Sequence, residues 1–260
     1  MDKKYKALKR FGQNYLIDKN IIRKIIDEFQ PQESDKIIEI GPGYGILTEG
    51  LAASKADITA VEIDNRVIEE LQKRFPGLTV INKDFLKISL NEIFKDAEQQ
   101  IRVIGNIPYN ITSPILFKLF EQHGIVKDAM FMVQYEVAKR MTSGIGTKDY
   151  GILAVLLNYF AEVKFCFKVP PTVFRPQPKV SSAIVKINFK SIPDDVDEKL
   201  FIKVVKAAFG NRRKNLKNSL SNSIFKEYDL NGLNLDLTLR AERLSVDDFI
   251  NLTKFFQKKS

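Results

Sequence analysis

Apolar positions over the first two thirds of the chain switch between two spacings, and the switching predicts the fold. Ile21, Ile22, Ile25, Ile26 and Phe29 recur at the interval of a helix with one buried stripe. The run Lys36-Ile37-Ile38-Glu39-Ile40 is short and rich in β-branched residues, so it reads as a strand. Further helices are predicted over 47–53, 66–74, 90–94 and 115–123, and further strands over 57–62, 78–82, 101–105 and 128–134. Strands that alternate with helices need crossover connections, which give a largely parallel sheet covered on both faces. The right hand of such crossovers makes this an α/β, Rossmann-like, doubly wound sheet.

After that region the rhythm changes. Residues 159–169 and 180–189 are β-rich with no helix between them, and a proline-rich stretch, 170–178, joins them. They are expected to pair antiparallel at the sheet edge. Beyond them only helical spacing remains, over 198–209, 213–221 and 246–258. The expected organisation is a large α/β domain over 1–190 and a small all-helical domain over 191–260.

Composition narrows the setting. No apolar run approaches the roughly 18 residues of a membrane helix, and the basic N-terminus lacks the apolar core of a signal peptide. The single cysteine, Cys166, excludes an internal disulfide framework, and the single histidine, His123, removes most zinc patterns. A reducing, cytoplasmic setting with no membrane partner and no metal is expected. Lys and Arg outnumber Asp and Glu by 41 to 32, a net charge of +9. The excess is clustered: Lys3, Lys4, Lys6, Lys9 and Arg10 lie at the start, and Lys206, Arg212, Arg213, Lys214 and Lys217 lie near residue 210. Separated basic clusters favour a nucleic-acid partner. A helix starting after Gly210-Asn211 would present both side chains and backbone amides to phosphate.

Candidate chemistry sits at the predicted strand ends. The first predicted strand runs from Glu39-Ile40 into Gly41-Pro42-Gly43-Tyr44-Gly45, where glycine lets the backbone approach a ligand. The spacing is G-x-G-x-G rather than the dinucleotide fingerprint. Glu62 ends the next strand, where a carboxylate accepts from ribose hydroxyls. Asp84 ends the one after, placed to accept from an adenine amine. Asn106-Ile107-Pro108-Tyr109 follows the strand over 101–105. The Asn106 side-chain oxygen and the Ile107 carbonyl can both accept from an exocyclic amine, and the Tyr109 ring can stack on the base. A plain turn would also use Asn-x-Pro-Tyr-Asn. Taken together these strand ends fit S-adenosylmethionine better than NAD, which would leave 106–109 without a role. Two acceptors on N6 favour a pyramidal nitrogen, localise its lone pair and direct it at a sulfonium methyl.

The residues resemble the KsgA family of small-subunit rRNA adenine dimethyltransferases, bacterial members especially, over essentially the whole length. Arg10-Phe11-Gly12-Gln13-Asn14-Tyr15-Leu16 is similar to the family's F-G-Q-N-[FY]-L motif. Residues 41–48 resemble its glycine motif, and 106–112 its N-[IL]-P-Y-N-[IV]-[ST] motif. Residues 174–183 resemble F-x-P-x-P-K-V-x-S-A, 209–216 resemble F-x-x-R-R-K-x-L, and 240–245 resemble R-A-E-x-L-S. Ser181 stands where many members have Asp, and Asn215 where Thr is usual. The resemblance implies that Asn14, Leu16, Gly41, Glu62, Asp84 and Asn106 contact the cofactor, with Gly43 in the loop. Gln13 and Asn14 would order over cofactor and RNA. Asn106, Pro108, Tyr109 and Phe174 would surround the target base, Tyr109 and Phe174 sandwiching it. Lys9, Arg10, Lys179, Arg212, Arg213, Lys214 and Lys217 would hold RNA.

The family implies dimethylation of N6 on two adjacent adenines near the 3′ end of small-subunit rRNA, in a 30S-type particle, by a monomer that can also serve subunit biogenesis. A large-subunit rRNA methyltransferase of the macrolide-resistance type shares the Q-N and N-I-P-Y motifs. A non-catalytic RNA-binding assembly factor is the alternative from another class.

Overall fold

The computed structural model describes residues 12–211 and 213–259. The chain divides into two compact units, Met1–Ala138 with Val163–Phe189, and Lys139–Glu162 with Lys190–Ser260. In chain order the elements are β1 (Tyr15–Leu16), α1 (Lys19–Phe29), β2 (Lys36–Ile40), α2 (Ile46–Ala52), β3 (Asp57–Val61), α3 (Asn65–Arg74) and β4 (Thr79–Ile81). Then come α4 (Leu90–Ile93), β5 (Ile101–Gly105), α5 (Thr112–Glu121), β6 (Val126–Gln134), α6 (Tyr135–Met141), α7 (Ile152–Phe160) and β7 (Ala161–Val169). The remainder are β8 (Phe174–Arg175), β9 (Ser182–Phe189), α8 (Glu198–Ala208), α9 (Leu216–Ser221) and α10 (Val246–Gln257).

The main sheet has the order β4-β3-β2-β5-β6-β9-β7. From β4 to β6 every neighbouring pair is parallel, and β9 runs antiparallel to β6. The chain builds outward from β2 to β4, then crosses back to place β5 on the other side of β2. That reversal is the point at which open α/β sheets open a crevice for ligands. The register aligns the strand ends there: Ile40 lies opposite Val61 and Gly105, and Val61 opposite Ile81.

Local chemistry sets the ends of the helices. Asp18 caps α1 by accepting from Asn20 N at 2.8 Å and Ile21 N at 3.2 Å. Ile22, Ile25 and Phe29 form its buried stripe, as the spacing predicts. Ile37 and Ile38 of β2, Val103 and Ile104 of β5 and Phe131 of β6 are fully buried between the helical layers. β1 and β8 pair antiparallel in a separate two-stranded sheet, Leu16 opposite Phe174.

In the second unit Phe201 stacks on Tyr159 with ring centroids 4.0 Å apart, and Phe225 on Phe256 at 4.2 Å. The Tyr150 hydroxyl donates to the Leu244 carbonyl at 3.0 Å. Among the described residues no helix is long and apolar enough to cross a membrane.

The Rossmann-like architecture stands as read from the sequence, with local differences. Residues 139–162, expected in the domain over 1–190, pack with the helical unit instead. Their helix α7 was not predicted, because Ala154, Val155, Leu156, Leu157, Tyr159 and Phe160 are all buried and leave no polar stripe to mark a period. β9 and β7 do lie side by side at the edge of the sheet, where the two β-rich runs are expected. The helix expected from 213 begins at Leu216, because Asn215 turns its side chain to accept from Asn218 N at 2.9 Å and so fixes the start.

Candidate active site

The rim made by the ends of β2, β3, β4 and β5 opens into a cavity of about 560 Å³, within the first unit. That volume suits a ligand of nucleoside size. Gly41 and Gly43 line it with φ of +66° and +56°. A Cβ on Gly41 would point into open space, whereas one on Gly43 would meet the Tyr15 ring at 2.9 Å. The left-handed turn therefore needs glycine, and it leaves a bare cradle of backbone.

Glu62 is buried just past β3 and anchors this turn. Its Oε2 accepts from Gly43 N at 3.0 Å and its Oε1 from Asp64 N at 2.8 Å. A carboxylate has about four lone-pair sites, so two remain for a pair of ribose hydroxyls. Burial raises the Glu62 pKa, opposed by those backbone amides.

Beneath the turn the carboxyl of Glu39, also buried, accepts from the Thr48 hydroxyl at 2.7 Å. Burial pushes Glu39 up to about 7, and neighbouring Glu62 adds to the shift. Asp84 follows β4. Its Oδ1 accepts from Leu86 N at 3.0 Å, and among the described residues no donor meets Oδ2.

Residues 12–16 form the facing wall. The Gln13 amide donates to Asp64 Oδ2 at 3.0 Å. Asp64 also takes Arg66 Nε at 2.8 Å, and the Arg66 hydrogen bond holds its pKa down to about 2. The Asn14 carbonyl accepts from the Asn106 side-chain amide at 3.0 Å. Tyr15 packs edge-on to Tyr44 with centroids 5.0 Å apart, and its buried hydroxyl has no hydrogen-bond partner among the described residues. That orphaned hydroxyl, the open Gly41 cradle and the spare acceptors of Glu62 and Asp84 are what a bound nucleoside would satisfy.

Donation of Nδ2 to Asn14 fixes the Asn106 amide so that its oxygen is the atom left for a ligand. The Tyr109 hydroxyl shares a hydrogen bond with Ser182 Oγ at 2.6 Å, which holds the ring at the same cavity, and burial raises its pKa. Pro108, Leu16, Gly12 and Asn110 line the cavity too.

The structure thus brings together Gln13, Asn14, Leu16, Gly41, Gly43, Glu62, Asp84, Asn106, Pro108 and Tyr109. It does not bring Phe174 there. That side chain is fully buried, in one cluster with Leu16, Ile25, Met132 and Val169, so it is core in this structure and presents no face to a base. Lys179, Arg213, Lys214 and Lys217 are exposed, the middle two in a turn rather than a helix. Lys9, Arg10 and Arg212 lie outside the described residues.

Sequence reasoning missed Glu39, Asp64 and Tyr15 as parts of the site. Asp64 caps α3, accepting from Arg66 N at 3.2 Å, and nothing along the chain signals that Gln13 will reach it.

An open α/β sheet with a glycine turn, a buried acid just past β3 and Asn-Ile-Pro-Tyr at the same rim fits one class, the S-adenosylmethionine-dependent methyltransferases. The model of one family, ribosomal RNA adenine dimethylase, matches residues 4–258, and the chain belongs to that family. It is 46% identical over 247 residues to the ribosomal RNA small subunit methyltransferase A of Chlorobium phaeobacteroides, covering 95% of this chain and 92% of that protein. To the protein of the same name from Francisella tularensis subsp. novicida it is 43% identical over 261 residues, covering 98% and 99%. Among solved structures it is similar to a dimethyladenosine transferase from Plasmodium falciparum, with a TM-score of 0.79 and 28% identity over 94% of this chain and 98% of that one. The 23S rRNA methyltransferase ErmE gives a TM-score of 0.67 at 26% identity, over 93% and 98%.

Proposed function

We propose that the protein transfers methyl groups from S-adenosylmethionine to N6 of two adjacent adenines near the 3′ end of small-subunit rRNA, giving dimethyladenosines. The observation that carries this reading is Asn106, whose amide is pinned by Asn14 with its oxygen left for an amine. When bound, the cofactor supplies an electrophilic methyl on a sulfonium. The chain supplies position. Asn106 Oδ1 and the Ile107 carbonyl accept the two N6 hydrogens, which draws the lone pair out of the ring plane. Tyr109, braced by Ser182, stacks on the extruded base, a contact worth roughly 1–3 kcal/mol. Holding the amine in line with the methyl accounts for much of the acceleration.

Lys9, Arg10, Lys179, Arg212, Arg213, Lys214 and Lys217 supply the positive charge for RNA, and the substrate is a 30S-type particle met by a monomer in the cytoplasm. Small-subunit relatives at 43–46% identity favour this over the large-subunit reading.

The test is methylation of purified 30S and 50S subunits by wild type and Asn106→Ala, read by mass spectrometry of the rRNA. Wild type should give dimethyladenosine on 30S only, and Asn106→Ala should lose about a hundredfold or more in rate while still folding. Methylation confined to 50S would move the substrate to the large subunit. Tight 30S binding by wild type without methyl transfer would leave an assembly factor.

A further inference from the structure

We propose that Lys118 is a positioning residue for the cofactor: from α5 it fixes the segment that carries Asp84, and so sets the acid that meets the adenine amine. This rests on reading the cavity as an S-adenosylmethionine site. Lys118 Nζ donates to the Leu86 carbonyl at 3.2 Å and to the Ile88 carbonyl. It also lies 5.6 Å from the centroid of the Phe85 ring. Leu86 in turn gives its amide to Asp84 Oδ1 at 3.0 Å. One ammonium thus holds the carbonyl side of the residue whose amide side holds the acid. Asp84, Phe85 and Leu86 all line the cavity, and Lys118 does not. Its influence on a ligand is therefore indirect.

Two further facts point the same way. Gln122, at the C-terminal end of α5, accepts from Leu90 N at 3.1 Å, so the helix grips the 86–90 segment at a second place. The same helix begins at Thr112, directly after the turn that carries Asn106 and Tyr109. Lys118 therefore ties the adenine end of the cofactor pocket to the element that holds the acceptor amine. Partial burial lowers its pKa, the cost of placing an ammonium against carbonyls instead of water, opposed by Glu121 and Asp84. A lysine needed only for solubility would be turned outward.

Calorimetric titration of S-adenosylhomocysteine into wild type, Lys118→Met and Lys118→Arg tests this. Lys118→Met should weaken binding about tenfold, and Lys118→Arg, which keeps a cation and its donors, should stay within about threefold of wild type. In turnover the KM for S-adenosylmethionine should rise by the same factor, with kcat at saturation and the KM for 30S changed less than about twofold. A folded Lys118→Met with wild-type affinity overturns the proposal, as does a lowered melting temperature with unchanged affinity. Should Lys118→Met fail to fold, Lys118→Gln is read in its place: a loss of about threefold supports the clamp and none overturns it. Failure of wild type to bind S-adenosylhomocysteine would overturn the cofactor reading itself, and so is distinct from failure of the Lys118 proposal.

Discussion

Glu39 shows how much a single buried carboxyl can decide. Its ordinary pKa of 4.5 is pushed up to about 7 by burial, so it holds its proton well above the pH at which an exposed glutamate loses it, one residue from the glycine turn. In the unfolded chain the same group ionises near its ordinary value. Below pH 4.5 both states hold the proton and its contribution to stability is complete. As pH rises the unfolded chain releases its proton first, and stability is lost until the folded carboxyl has also ionised, a change of about 3 kcal/mol at 1.36 kcal/mol per pKa unit. Glu39→Gln keeps an acceptor for Thr48 and removes the titration. Urea melts at about pH 5 and pH 8 should show wild type losing stability between them and the variant staying nearly level. Equal slopes would mean that Glu39 ionises freely in the fold. Asn106, by contrast, could be singled out from sequence, though only together with the glycine turn and the strand-end acids before it, since Asn-Ile-Pro-Tyr alone also suits a plain turn. Glu39 reads from sequence only as part of a strand, since a lone acid in an apolar run does not reveal what will cover it.

Elements are joined here by polar contacts that no periodicity reveals. Arg102 of β5 is buried, with Nε and one terminal nitrogen on Asp128 of β6 at 2.8 and 2.7 Å and the other on Asp35 at 2.7 Å. It also donates to the Phe29 and Gln30 carbonyls at 2.6 and 3.0 Å, satisfying the end of α1, and its guanidinium stands 4.0 Å from the Phe29 ring centroid. Removing it leaves two buried carboxylates with one weaker partner each, the Gln32 amide for Asp35 and Lys186, 3.7 Å away, for Asp128. Arg102→Ala should cost about 3–5 kcal/mol in urea unfolding. A loss below about 1 kcal/mol would mark the cluster as solvated and weak. Alternating strands and helices were readable because each shows a clean period of its own. α7 was not, being apolar at every position but Asn158, and the start of α9 shifted because Asn215 took over as cap. Asn215, a departure from the family's Thr, keeps that role, since either side chain offers the oxygen that caps.

For the molecule as a whole, the net charge of +9 makes salt the lever on substrate binding. Arg213, Lys214 and Lys217 are exposed beside the capped start of α9. Each phosphate contact contributes about 0.7–0.9 to the slope of log affinity against log salt, so replacing all three by alanine should flatten that slope by roughly 2–3 units. Equilibrium binding to 30S across a salt series measures it, and an unchanged slope would place the RNA elsewhere. This basic patch was legible as charge in the sequence, but not as a turn. Phe174 was the reverse: its motif suggested a wall of the site, while its place opposite Leu16 in the β1–β8 pair makes it core. That small pair also has a meaning in time. Tyr15 and Leu16 emerge early in synthesis, yet their partner strand is not made until Phe174 and Arg175 have been added. The wall that carries Asn14 and the orphaned Tyr15 hydroxyl therefore waits, on a growing chain, for about 160 residues of intervening sequence. A nascent polypeptide holding every strand from β2 to β6 already has Asp64 and Asn106 to meet Gln13 and Asn14, but not the strand that pairs with β1. The pairing that backs this wall is thus completed only in chains translated past residue 175.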